Sequence, residues 1–144
     1  MKGFKINSMK ELIRKDILYP ELSYQIVGVL FEVDNELGYK YHERYLQKAI
    51  VSKLQDKGIK YKEQVIITLK IDNKEIAKGR VDIIIEDKII LEIKKGERFL
   101  KQNIDQLYSY LKITNFKLGI LANFTSRGLR FKRIVNINDT TKNS

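Results

Sequence analysis

Arg80-Val81-Asp82-Ile83-Ile84-Ile85-Glu86-Asp87-Lys88-Ile89-Ile90-Leu91-Glu92-Ile93-Lys94-Lys95 decides the fold. Two apolar, β-branched runs flank the polar turn Glu86-Asp87-Lys88, which predicts a hairpin. With Asp87 at the apex, Ile85 faces Ile89 and the ladder runs outward to Asp82 opposite Glu92. Side chains directly opposite share a face, with Cβ atoms about 4.5–5.5 Å apart. Alternation puts Lys94 on that face too. A two-residue turn would instead slip the pairing by one and send Asp82 and Glu92 to opposite faces. In the first register two carboxylates oppose each other in an apolar sheet, which is repulsive and costly to bury. A positive charge between them resolves the conflict, and a hard divalent cation held by carboxylate oxygens is the natural candidate.

The chain has 144 residues, one domain's worth and enough for a real core. It has no cysteine, which excludes disulfides, thiolate metal sites and cysteine catalysis. Its single histidine, His42, argues against a zinc centre or a histidine triad, and reads as a surface or supporting residue. With 28 basic and 18 acidic residues the formal charge is +10, which suits a polyanionic partner or reflects a Lys-rich composition. No apolar run approaches the roughly 20 residues of a membrane span. No secretory signal is visible, so a cytoplasmic protein is expected.

Upstream of the hairpin, residues 1–20 read as an N-terminal arm or short helix, interrupted at Pro20. Leu22, Ile26, Val29, Leu30, Val33 and Leu37 recur at helical steps, and Gly38 supplies a stop. A second helix is predicted over 41–57, with Tyr45, Leu46, Ala49, Ile50 and Leu54 toward the core and Gly58 at its end. Alternation over 62–71 predicts a strand, so strands at 62–71, 75–86 and 88–95 form an antiparallel meander. Gly79, inside the middle strand, signals a bulge, a close backbone approach or a simple kink.

Downstream, a helix is predicted over 101–114 with Ile104, Leu107, Tyr108 and Leu111 on its apolar side. Residues 116–124 read as a core strand, reached by a βαβ crossover and therefore parallel to its neighbour. Residues 129–137 read as a basic edge strand. Residues 138–144 read as a frayed tail, leaving 21–137 as a single domain.

Asp82, nine intervening residues and then Glu92-Ile93-Lys94 resemble the PD-(D/E)xK nuclease superfamily, whose motif is an acid, a short hairpin and (D/E)-x-K. Val81 stands at the motif's proline position. The stretch from Glu36 to Ile50 resembles the GxxExxY branch. It keeps the acid as Glu43, with Lys40 at the glycine position, and Leu46 beside Tyr45 at the tyrosine position. Gln106 and Tyr110 resemble the Gln-x-x-x-Tyr signature of RecB-like members, four apart on one helical face.

The resemblance implies an α/β restriction-endonuclease-like core (αβββαβ) with a mixed central sheet flanked by helices. It implies a Mg²⁺-dependent phosphodiesterase acting on DNA or, less directly, RNA, with Mn²⁺ able to substitute. Asp82, Glu92, the backbone carbonyl of Ile93 and Glu43 are the implied metal ligands. Lys94 is implied to orient water and stabilise phosphate charge, and Gln106 to face the site. Small nucleases of this fold often act as homodimers. Two other readings stay open: a non-catalytic nucleic-acid-binding module, and a small interaction protein whose acids pair with Lys94 and Arg80.

Overall fold

The computed structural model describes residues 18–137. The readings for the N-terminal arm before Leu18 and for the tail 138–144 lie outside the described residues. Helix α1 spans Pro20–Glu36, a 3₁₀ turn spans Gly38–Lys40, and α2 spans Glu43–Asp56. Strands β1 (Tyr61–Ile71), β2 (Lys74–Ile85) and β3 (Ile89–Lys95) follow, then α3 (Lys101–Thr114), β4 (Leu118–Thr125) and β5 (Gly128–Val135). Pro20 opens α1, where its missing N–H costs nothing. Gly38 and Gly58 follow the ends of α1 and α2 in left-handed conformations, φ 72° and 69°, which glycine adopts without penalty. No described helix is long and apolar enough to cross a membrane.

The five strands form one sheet in the order β1-β2-β3-β4-β5. All neighbours are antiparallel except β3 and β4, which the α3 crossover joins in parallel. The sheet is thus mixed and flanked by helices, as a restriction-endonuclease-like core requires. Helices α1 and α2 cover one face, burying Ile26, Leu30, Leu46 and Ile50 against Ile83, Ile85, Leu91 and Ile93. Helix α3 covers the other, burying Leu107, Tyr110 and Leu111 against Val81, Ile84, Ile90 and Leu121.

Two tyrosines depart from the expected core. Tyr45 and Tyr108 are 41% and 39% exposed, whereas Tyr110 is 8% exposed. The buried stripe of α3 is Leu107-Tyr110-Leu111, at steps of three and four, and Tyr108 lies about 100° around the helix from it. Gly79 is the reason Tyr110 fits: a Cβ there would come within 2.8 Å of the ring's Cζ. Of the readings open for Gly79 the close approach is found, but the neighbour is the buried Tyr110 ring and not an open phosphate or substrate groove. The register irregularity in this strand pair falls elsewhere, between Leu69 and Lys70.

The central hairpin pairs Ile85 with Ile89, Ile84 with Ile90 and Ile83 with Leu91, the register with Asp87 at the apex. Glu86 and Asp87 both take φ 53°. Such left-handed residues cost L-amino acids about 1–2 kcal/mol each. The turn is braced in return: Glu86 N–H donates to the Lys60 carbonyl, and Lys60 N–H donates to the Glu86 carboxylate, both at 2.9 Å.

Strict alternation breaks at Asp82. Val81 packs on the α3 side with Ile84, while Ile83 and Ile85 pack on the α1–α2 side. Strand β1 breaks at the facing position: Tyr61 packs on the α1–α2 side, Val65 and Ile67 on the α3 side, and Gln64 between them has φ 50°. Because both strands slip together, Glu63↔Ile83 and Val65↔Val81 keep a common register. Gly79→Ala is expected to destabilise the protein by about 1–3 kcal/mol through overpacking against Tyr110. Chemical denaturation reads this directly, and an unchanged midpoint would contradict the packing account.

Candidate active site

The β2–β3 ladder ends at Ile83↔Leu91. One residue further out, side chains replace the ladder. The Asp82 N–H donates to Glu92 Oε1 at 3.0 Å, and the Ile93 N–H donates to Asp82 Oδ2 at 2.7 Å. Each carboxylate therefore satisfies a backbone donor of the opposite strand. This fixes both side chains in the gap where the strands part. Glu92 is 4% exposed, and Val81, Ile83, Leu91 and Ile93 beside it are at most 1% exposed. Burying two carboxylates costs several kcal/mol per ion. Those four apolar side chains stabilise by about 1.5–3 kcal/mol each, so the fold carries the polar pair without losing its core.

The electrostatics follow from that burial. Desolvation pushes the Glu92 carboxyl up to about 8, and the negative charge of Asp82 adds to it. Desolvation also raises Asp82, opposed by the Ile93 N–H, the positive charge of Lys94 and hydrogen bonds with Gln64 and Glu92. Lys94 pulls Glu92 down as well, while Glu43 pushes it up. Tyr110 is raised by its own burial and then by Glu92. Asp82, Glu92, Lys94, Glu43 and Tyr110 thus share one field, and positive charge is what the pair lacks.

The remaining residues singled out in the sequence take distinct places. Glu43 is exposed in the first turn of α2, beside an open groove of about 570 Å³ lined with His42 and Arg44. His42 is exposed and precedes α2, its carbonyl accepting from the Tyr45 and Leu46 N–H groups. Ile93 gives its N–H to Asp82 and buries its side chain on the α1–α2 side. Gln106 is exposed on α3, one turn before buried Tyr110.

Two residues at the site escaped the sequence reading. Gln47 donates to Glu63 Oε1 at 3.1 Å and to the Asp82 carbonyl at 3.5 Å, and Gln64 donates to Gln47 Oε1 at 2.9 Å. Gln47 lies four residues after Glu43 on one helical face, a signal the sequence does carry. Gln64 owes its place to its left-handed φ, which leaves no mark in the residue pattern.

The donor set suits a hard divalent ion. Asp82 and Glu92 offer oxygens that burial and mutual repulsion make costly to ionise alone, and Mg²⁺ characteristically binds through one or two carboxylates and keeps several waters. Among the described residues no three His, Asp or Glu side chains gather closely enough to hold an ion by themselves. Glu43 therefore acts on the pair through its field, at longer range than Asp82 and Glu92 act on each other.

The model of the PD-(D/E)XK nuclease superfamily matches residues 20–134. The chain belongs to this superfamily. Nucleases of this superfamily generally use divalent metals, in keeping with the oxygen donors here. The fold resembles the crystal structure of SSO0001, with a TM-score of 0.53 and 23% identity over 85% of this chain and 60% of that one. An alkaline exonuclease (LHK-Exo) from Laribacter hongkongensis aligns with a TM-score of 0.46 and 14% identity over 65% of this chain and 55% of that one. The PD-(D/E)XK chain thus spans about 60% of the length of SSO0001. No curated protein matches it.

Glu92 gives this PD-(D/E)XK domain a pH signature. Its folded value of about 8 lies above the ordinary 4.5. Its contribution to stability is fully present below the lower value and is lost as pH rises through the upper one. Thermal denaturation in chelator should show that decline in the native protein and a flatter profile in Glu92→Gln. Identical pH profiles for the two proteins would refute the assignment.

Proposed function

We propose that this chain is a Mg²⁺-dependent nuclease that hydrolyses phosphodiester bonds of DNA, with Mn²⁺ able to substitute. Superfamily membership supports nuclease activity, and the observation that carries the residue assignment is the reciprocal bonding of Asp82 and Glu92 beside Lys94. Asp82, Glu92 and the Ile93 carbonyl would hold the ion, with Glu43 ordering its water. Such an ion would supply Lewis-acid activation of the scissile phosphate and of water. Lys94, whose positive charge acts on both carboxyls, would orient the attacking water and neutralise charge growing on the phosphate. Gln106 has an exposed amide available to a phosphate oxygen. The rigid attachment of both carboxylates to opposing strands supports this reading, because positioning is already achieved before substrate arrives.

Two measurements test it. Cleavage of linear, circular and single-stranded DNA should require Mg²⁺ or Mn²⁺. It should fall to background in Asp82→Ala and Glu92→Ala, and by about 10²–10³-fold in Lys94→Ala. Full metal-dependent cleavage by Glu92→Ala would remove the proposal. Salt-sensitive DNA binding with no turnover in any metal would favour a non-catalytic binding module instead. Separately, Mg²⁺ should raise the melting temperature at alkaline pH in the native protein and not in Asp82→Ala, since only a ligand of the folded state stabilises it.

A further inference from the structure

The β1–β2 pair runs on past the rest of the sheet. Only Ile83, Ile84 and Ile85 of β2 pair with β3, whereas β2 pairs with β1 from Ile85 to Lys74. From Val65 and Val81 outward the two strands form a ribbon of their own, closed by the left-handed turn residues Asp72 and Asn73. Helix α3 covers the root of one face, where Tyr110 meets Gly79 and Ile67 is buried. The rest is open: Ile66, Ile71 and Ile76 are 50%, 56% and 57% exposed. A two-stranded hairpin standing alone is marginal in water, so the fold gains little from this extension.

The face turned away from Tyr110 is cationic. Ile66 opposes Arg80 and Thr68 opposes Lys78, and alternation along β1 puts Lys70 on the same side. Arg80, Lys78 and Lys70 are all exposed. Among the described residues no acid pairs with Arg80 or Lys70, and Lys78 meets Glu75 at 3.3 Å. The row starts at the candidate active site. Arg80 is two residues before Asp82 on β2, and its partner Ile66 is two residues after Gln64, which bonds the Asp82 carboxyl. At about 3.4 Å per residue, Arg80 lies roughly 7 Å and Lys78 roughly 14 Å along the strand from Asp82, with Lys74 at about 27 Å. That is the length of about eight base pairs. Tracks for single strands combine cations with aromatic rings on which bases stack. The ribbon from Val65 to Val81 has no aromatic residue. Cations without such rings engage phosphates, and a two-stranded ribbon is a shape that the major groove of a duplex admits.

We propose that the β1–β2 ribbon holds the phosphate backbone of a duplex on one side of the cut, through Arg80, Lys78 and Lys70. This rests on the nuclease reading for its place beside the cut, but the binding itself is separable from cleavage. The test is titration of a labelled blunt 20-base-pair duplex in chelator over a range of salt. Lys70→Gln with Lys78→Gln and Arg80→Gln should weaken duplex binding by about tenfold or more. The slope of log affinity against log salt should become shallower by about 2–3, since each phosphate contact contributes about 0.9. Binding of a 20-nucleotide oligothymidylate should weaken less. Lys101→Gln with Lys112→Gln and Lys117→Gln removes the same charge away from the ribbon and should keep the native slope. Lys70→Arg with Lys78→Arg and Arg80→Lys, which keeps the three charges, should bind like the native protein.

An unchanged slope in the ribbon variant, an equal change in the variant at 101, 112 and 117, or equal weakening toward the single strand would each overturn the proposal. So would the absence of duplex binding by the native protein. Conversion of a dimer to a monomer by the ribbon variant in sedimentation would overturn it too, by making the ribbon a subunit contact. Ribbon-dependent binding without metal-dependent cleavage would sink the nuclease reading and leave the ribbon's role standing. Cleavage with ribbon-independent binding would do the reverse.

Discussion

The structure depends on the parting of two strands. Up to Ile83 and Leu91, β2 and β3 are an ordinary antiparallel pair. At the next step two backbone N–H groups would be left without carbonyl partners inside the protein, a cost comparable to losing each hydrogen bond. Asp82 and Glu92 meet that demand with their side chains. A structural requirement of the sheet thereby places two carboxylates in an apolar setting, and the same hydrogen bonds that close the ladder aim the acids at one another.

The surrounding elements make sense as support for that gap. From one face α3 presses Tyr110 over Gly79, close enough to Glu92 for its charge to raise the phenol. From the other, α2 supplies Gln47, which reaches the Asp82 carbonyl and meets Gln64. Gln64 accepts a left-handed backbone that costs about 1–2 kcal/mol, offset by its bonds to Gln47 and Asp82. Strain of this kind gathers where geometry matters for function. The paired slips in β1 and β2 belong to the same arrangement. They change which face the hairpin presents beyond Asp82 while the register on both sides stays intact.

The folding of the site is balanced against its chemistry. Carboxylates raised by burial are uncomfortable without a cation, and an ion that relieves them also stabilises the fold. Lys94 supplies part of the missing positive charge, yet Glu92 still stands at about 8.

Much of this was legible in the residues themselves. The β-branched runs around Glu86-Asp87-Lys88 determined the hairpin, because period-2 alternation and a three-residue turn leave few registers. The helical steps in α1 and α2 and the crossover to β4 followed from local pattern. Asp82 opposite Glu92 in an unbroken ladder did not, because the strands part after Ile83 and Leu91 and the two acids bond to backbone N–H groups across the gap instead. Tertiary structure decided the rest. Tyr110, not Tyr108, enters the core because Gly79, thirty-one residues away in the chain, leaves room for its ring. Gln64 and Gln47 join the site because a left-handed residue and a helix from the other side of the sheet meet there. Periodicity reports which face of its own element a residue occupies. It says nothing of what the neighbouring element brings to that face, and that contact is made only when the chain has folded.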